Sequence, residues 1–233
     1  MMQSDCRAGA FAFFDVDETL VAEKTMFTIL AQIGHHLPGY DARAHAAATV
    51  QLRRDGADRA RVNRFFYSGL KGLEASLVRA VAQDYVAARL AENATRPFLI
   101  EGAVAHMQAL ARRGVAPVFV SGSARWFVEP IARALAVPHV LATELAVDDG
   151  GRLTGALAGD CMIGPGKRRA VETFLQRQDT DAGACFGLGD HPSDVDFLSL
   201  LGHPAFVAGN EDAEAIARRN GWPLIPNACF EEV

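Results

Sequence analysis

Apolar residues come in two rhythms along this chain. The first is short and continuous. "AFAFF" (10–14) runs without a polar break into Asp15. Four later stretches resemble it: "VAPVFV" (115–120) ending at "SGS", "PHVLAT" (138–143), "ACFGLG" (184–189) ending at Asp190, and "PAFVAG" (204–209). Runs of this length, bounded by turn residues, predict strands buried on both faces, as in a parallel sheet. The second rhythm is helical. Val104, Met107, Leu110 and Ala111 share one face, as do Val171, Phe174 and Leu175. Strands alternating with helices predict an α/β fold with a doubly wound parallel sheet and right-handed crossovers.

Two segments break the alternation. From residue 24 to residue 96 no strand pattern occurs. Met26, Ile29, Leu30, Ile33 and Leu37 form one helical stripe, and Leu77, Val81 and Tyr85 form another. An all-helical insert over 24–96 is therefore expected, with residues 1–23 and 97–233 forming the core. The second break is "TELAVDDGGRLTGALAG" (143–159), where Asp-Gly-Gly between short apolar stretches predicts a small β-hairpin.

Composition narrows the function class. Half of the 233 residues are hydrophobic and 22% are charged, which suits a globular chain with a sizeable core. The formal net charge of −5 argues against a general nucleic-acid binder, which needs a basic face. Cys6, Cys161, Cys185 and Cys229 form no CxxC pair, so no zinc framework is expected and reduced thiols are. The N-terminus has no basic segment before its apolar run, and no apolar stretch approaches the ~20 residues that span a bilayer. A cytoplasmic protein is expected, without membrane attachment or an obligate protein partner.

The polar clusters at the strand ends carry the chemistry. In an open parallel sheet, ligands bind at the carboxyl ends of the strands. Asp15, "SGS" and "GDHPSD" follow three different strands and so converge on one edge. Asp15 and Asp17 are separated by one residue, so in extended chain both side chains point the same way. Such a pair of like charges calls for a cation or a proton between them. Asp190 and Asp194 add two more carboxylates, and a small cluster of hard oxygens suits Mg²⁺. A calcium loop of the EF-hand type does not fit, because Thr19 is not acidic and Leu20 stands where the turn glycine belongs. Lys167, in "GPGKRRAVETFL", starts an expected helix, where a cation is unfavourable unless an anion binds. Ser121 and Gly122 lead towards another helix and offer a hydroxyl and N–H donors; Ser121 or Ser123 would also serve as a helix cap. Carboxylates, Mg²⁺, a lysine and a serine describe a phosphoryl-transfer site.

These residues resemble the haloacid dehalogenase (HAD) superfamily, subfamily IB, the phosphoserine-phosphatase-like branch. "DVDETL" is similar to its first motif, "VFVSGS" to its second, "GK" (166–167) to its third and "GDHPSD" to its fourth. "DDGGRLTG" is similar to the hairpin of that branch. The resemblance implies a Rossmann-like core with a helical cap and a Mg²⁺-dependent phosphomonoesterase acting on a small phosphorylated metabolite. It implies Asp15 as nucleophile forming an aspartyl-phosphate, and Asp17 as general acid and then base. Thr19 would position Asp17 beside the phosphate site. Ser121, Gly122 and Lys167 would hold the phosphoryl oxygens. Asp15, the Asp17 main-chain carbonyl and Asp190 would bind Mg²⁺, with Asp194 in support.

The chain also departs from that branch. Phosphoserine phosphatases carry a glutamate where an ungapped match places Lys24, with Glu23 beside it. Their cap arginine has no fixed counterpart, since Arg64 is near and Phe66 aligns. Lys24, Arg64, Arg125 and His191 are therefore the candidates for reading the substrate. The basic run "RRDGADRARVNR" (53–64) suits a solvated helical hairpin or a positive cap face towards phosphate. Phosphoserine, histidinol phosphate, a sugar phosphate and other intermediates stay open. So do a phosphotransferase sharing every motif and a non-catalytic module on the same fold.

Overall fold

A computed structural model describes residues 9–228. Cys6 and Cys229 lie outside the described residues, while Cys161 and Cys185 are free and buried thiols. The chain begins with β1 (Phe11–Phe14), followed by α1 (Thr25–His36), α2 (Ala42–Arg54), α3 (Arg59–Ser68) and α4 (Ala75–Ala91). It continues through α5 (Glu101–Arg112), β2 (Ala116–Ala124), α6 (Arg125–Ala134), β3 (His139–Thr143), β4 (Leu145–Val147) and β5 (Leu153–Leu157). Then come α7 (Pro165–Arg177), β6 (Phe186–Gly189), α8 (Val195–Leu198), β7 (His203–Val207), α9 (Glu211–Asn220) and β8 (Leu224–Ile225).

Six strands form one sheet in the order β3-β2-β1-β6-β7-β8, and every pairing is parallel. β1 sits at the centre because all four of its residues are buried. Its side chains alternate between faces. Phe11 and Phe13 enter the cluster formed with Val171 and Leu175 of α7, Phe197 of α8 and Ala213 of α9. Ala12 and Phe14 enter the opposite cluster, with Met107 and Leu110 of α5 and Ile131 of α6. Helices thus cover both faces, as the expected doubly wound α/β sheet requires. Phe13 is fully buried, and truncating it to alanine is expected to cost about 3–5 kcal/mol.

The insert follows β1 directly. Ile29, Leu30 and Ile33 of α1 are buried, as their spacing demands, against Phe66 and Tyr67 of α3 and Val78 and Val81 of α4. The same cluster takes in Trp126 and Phe127 of α6 and Leu145 and Leu153 of the β4–β5 hairpin. The hairpin therefore serves as the insert's seat. Backbone bonds join them directly: Gly72 N–H reaches the Leu153 carbonyl at 2.7 Å, and Leu153 N–H reaches Leu73 at 2.8 Å. Asp41 and Asp58 accept backbone N–H bonds as side-chain caps of α2 and α3.

One buried guanidinium ties both chain crossings. Arg89, on α4, is 3% exposed and bonds Glu23, in the first crossing, at 2.8 Å. It also donates to the carbonyls of Arg96 and Pro97 in the second crossing. Among the described residues no helix is long and apolar enough to cross a membrane.

Candidate active site

The carboxyl ends of β1, β2 and β6 meet the start of α7 at one edge of the sheet. Asp15 follows β1, and its N–H bonds the Leu188 carbonyl of β6 at 2.9 Å, which fixes the backbone. Asp15 Oδ1 accepts the Val16 N–H at 2.7 Å, and Oδ2 lies 2.7 Å from Lys167 Nζ. Lys167 is 2% exposed. It is brought in by Gly166, whose missing Cβ would stand 1.8 Å from the Cys161 carbonyl oxygen. Only glycine lets the first turn of α7 press against that loop.

Asp194 approaches from the turn after β6. Its Oδ1 is also 2.7 Å from Lys167 Nζ, and its Oδ2 accepts the His191 N–H at 3.2 Å and the Asp190 N–H at 3.4 Å. A Cβ on Gly189 would meet the Asp194 side chain at 2.8 Å, so a glycine is needed for this close approach. One oxygen each of Asp15, Asp190 and Asp194 lies within 4.8 Å of the others.

The electrostatics of this cluster lack positive charge. Burial, and then the charges of Asp15 and Asp194, push Asp190 up to about 8. Burial pushes Asp15 up to about 7 although Lys167 opposes it, with Asp194 and Asp17 adding to the rise. Burial by itself would lower Lys167, but the carboxylates of Asp15 and Asp194 outweigh it and raise the ammonium. Three buried carboxylates facing one ammonium make a hard-oxygen donor set that fits a divalent cation such as Mg²⁺.

Asp17 stands apart from that cluster. Its Oδ1 accepts the Thr25 N–H at 2.8 Å, and its Oδ2 accepts a short bond from the Ser123 hydroxyl. Thr25 Oγ1 donates to Ser123 Oγ at 3.2 Å, which closes a small network at the start of α1. Burial raises the Asp17 carboxyl, and the bonds from Ser123 and Thr25 partly offset the rise. The sequence offers Ser123 as a helix cap, whereas its hydroxyl serves Asp17. The period-2 spacing of the two serines was the available signal.

Two expectations change here. Thr19 does not hold Asp17. The chain turns at Glu18, in the left-handed region at φ 60, and sends the fully buried Thr19 hydroxyl to Asp190 Oδ1 at 3.0 Å. "SGS" is not a turn beyond the strand but part of β2, which runs to Ala124 with a register irregularity between Ser121 and Ala124. Ser121 is fully buried and accepts the Ser123 N–H at 3.0 Å. Neither serine caps α6, whose N-cap is Ala124. The Gly122 carbonyl accepts Asn63 of α3 and Thr143, both at 2.9 Å.

A cavity of about 360 Å³ opens over these groups. Asp15, Asp17, Gly122, Ser123, Lys167, Asp190 and His191 line it from the core. The insert contributes Phe27, Thr49, Arg53, Arg54, Arg59, Val62 and Asn63. Lys24 also lines it, paired with Glu18 at 3.1 Å in an exposed ion pair. Burial, then the charge of Arg59, lowers His191 to about 4, so its imidazole is neutral. Its Nδ1 accepts the Ser193 N–H at 3.0 Å.

Arg64 and Arg125 do not line this cavity. Arg59, Val62 and Asn63, spaced i, i+3 and i+4, form the cavity face of α3, and the exposed Arg64 falls one residue off that face. Arg125 is held by Glu144 and by the Val140 carbonyl at 2.8 Å. Of the basic run, Arg53, Arg54 and Arg59 reach the cavity instead. The Asp-Gly turn between them signalled that the two helix ends meet.

A family model for haloacid dehalogenase-like hydrolases matches residues 12–199, a span that contains every one of the strand-end carboxylates. The chain belongs to that family. Among relatives of this hydrolase, a probable phosphatase of Mycobacterium tuberculosis is 26% identical over 226 residues, covering 94% of this chain and 76% of the relative. A phosphoserine phosphatase of Mycobacterium tuberculosis is 30% identical over 190 residues, covering 81% of this chain and 42% of the relative. A histidinol-phosphatase of Neisseria meningitidis is 23% identical, covering 92% and 97%. The fold of the hydrolase matches a Bordetella pertussis protein of unknown function with a TM-score of 0.80 at 23% identity, covering 94% and 99%. It matches a phosphoserine phosphatase in apo form with a TM-score of 0.67 at 20% identity, covering 93% and 92%.

Proposed function

We propose that this hydrolase is a Mg²⁺-dependent phosphomonoesterase for a small phosphorylated metabolite, working through an aspartyl-phosphate on Asp15. The observation that carries the reading is the position of Asp15 itself. One carboxylate is shared between a buried lysine and an acidic metal-type cluster, on the floor of a cavity, with a second carboxyl of raised pKa two residues away. Family membership and the phosphatase names of its relatives support the same reading.

In the first step an Asp15 oxygen bonds to phosphorus while the ester P–O bond breaks, and Asp17 gives its proton to the departing oxygen. In the second, Asp17 takes a proton from water, the water oxygen bonds to phosphorus, and the bond to Asp15 breaks. Asp17 suits both steps because burial raises its carboxyl above the ordinary value while Ser123 and Thr25 fix its direction. Lys167 would neutralise the phosphoryl oxygens from within the site. Asp15, Asp190 and Asp194 would hold Mg²⁺, which supplies positive charge for the transferring group. Residues 24–96 would act as a cap over a core of 1–23 and 97–233, closing the cavity against bulk water.

Hydrolysis of p-nitrophenyl phosphate tests this reading. The expected result is turnover with Mg²⁺ that EDTA removes and added Mg²⁺ restores. Turnover indifferent to both would overturn it.

A further inference from the structure

We infer that the cavity carries a second anion subsite, formed by Arg53, Arg54 and Arg59, and that the substrate is a phosphomonoester bearing a second phosphate group. The inference rests on the phosphomonoesterase reading for the scissile group and adds what the other end of the substrate must be.

Arg53 and Arg54 occupy the last turn of α2, and Arg59 the first turn of α3. All three line the same cavity as Asp15 and Lys167. Among the described residues none of them has a carboxylate partner. The acids next to them in sequence are otherwise engaged: Asp55 accepts from Gln51, and Asp58 accepts the Arg61 N–H. Among the described residues the Arg53 guanidinium donates to the Ala57 carbonyl at 3.2 Å.

Arg59 sits in the first turn of α3, next to the N-cap carboxylate of Asp58, which is turned back onto the Arg61 N–H and makes no ion pair with Arg59 among the described residues. Arg53, Arg54 and Arg59 share that cavity with His191 and Asp190 of the core, so the cluster faces the catalytic floor. The nearby Lys24 is already paired with Glu18, and the 53–59 turn, with Asp55 and Asp58 counted, keeps a net positive charge.

The number of donors favours phosphate over carboxylate. A carboxylate offers two acceptor oxygens, whereas a phosphate monoester carries about −1.5 to −2 at neutral pH and three acceptor oxygens, one for each guanidinium. Guanidinium forks suit those oxygens. The same cavity is lined by the apolar side chains of Met26, Phe27, Val50 and Val62. A short uncharged spacer between the phosphates fits that lining.

Steady-state kinetics on matched probes tests this. Butyl phosphate, 4-phosphooxybutanoate and 1,4-butanediol bisphosphate differ only at the end remote from the scissile group. The bisphosphate is expected to show a kcat/KM at least about tenfold above butyl phosphate. That ratio should fall towards one in an Arg53→Gln/Arg54→Gln/Arg59→Gln variant, and should shrink with added salt in the wild-type protein, since exposed charges are screened. The wild-type ratio and its salt dependence stand even if the triple variant fails to fold. Equal kcat/KM for all three probes, in protein that turns over p-nitrophenyl phosphate, overturns the second subsite and leaves the phosphomonoesterase reading intact. A preference for 4-phosphooxybutanoate overturns the phosphate assignment. Absence of p-nitrophenyl phosphate turnover with Mg²⁺ overturns the underlying reading. Calorimetric titration of Asp15→Asn with the bisphosphate and with butyl phosphate then reports on the subsite separately, and equal affinities would count against it.

Discussion

Lys167 Nζ lies 2.7 Å from Asp194 Oδ1, the same distance that separates it from Asp15 Oδ2. The ammonium is thus the only cation holding two buried carboxylates together among the described ion pairs of the site. Lys167→Met keeps the stem length and removes the charge. Breaking a buried pair leaves the partners unmatched, and a loss of about 3 kcal/mol is expected without added metal. Urea unfolding in EDTA measures it; an unchanged midpoint would show that Lys167 does not hold the cluster.

The Asp17 network predicts a dependence on leaving group. Ser123→Ala removes the hydroxyl that fixes the Asp17 carboxyl, so proton donation suffers most where the departing oxygen is basic. An alkyl phosphate should lose about tenfold in kcat, while p-nitrophenyl phosphate, whose leaving group needs little protonation, should lose much less. Equal losses on both substrates would mean that Ser123 supports the fold and not the acid.

Metal and pH should act on stability together. Asp15 and Asp190 are pushed up to about 7 and about 8, chiefly by burial, far above their unfolded values. A carboxyl whose folded pKa is raised stabilises fully below the unfolded pKa and loses that contribution as pH rises through the folded one. In EDTA the melting temperature should therefore fall between about pH 5 and pH 8. Mg²⁺ binds the ionised forms, so the rise in melting temperature on adding it should be larger at pH 8 than at pH 6. Thermal scans at both values check this, and an equal rise would contradict the assignment of these carboxylates to a cation.

Arg89 predicts where the insert is anchored. Its guanidinium joins Glu23 to the carbonyls of Arg96 and Pro97 and is almost wholly buried. Arg89→Met should cost about 3 kcal/mol, because it leaves the Glu23 carboxylate without a cation, held by the Tyr85 hydroxyl. Glu23→Gln in the same background should recover part of that loss, since it removes the stranded charge. Additive losses would show that the two residues do not act as a pair.

The sheet and its acids were legible because their signals are local. A continuous apolar strand that stops at carboxylates can be read from "AFAFFDVD" alone, and the stripe of Ile29, Leu30 and Ile33 is buried as its period requires. What escaped depended on turns. The Thr19 hydroxyl goes to Asp190 because Glu18 takes a left-handed φ of 60, which the residue type does not announce. The basic run was legible as a charge cluster, but which arginines meet the cavity depends on the Gly56 turn, at φ 87, and on the rotation of α3 after it. Leu224–Ile225 pairs with β7 as a sixth strand, too short for a pattern to form. Residues fixed by long-range contact, such as Ser123 on Asp17 across 106 positions, need the fold before they can be paired.

The central claim is that Asp15 is the nucleophile. Asp15→Asn keeps the shape of the side chain and removes its charge. Its p-nitrophenyl phosphate turnover with Mg²⁺ should fall by about 10,000-fold or more, with the circular dichroism spectrum unchanged. A folded Asp15→Asn protein that turns over at the wild-type rate would contradict the account.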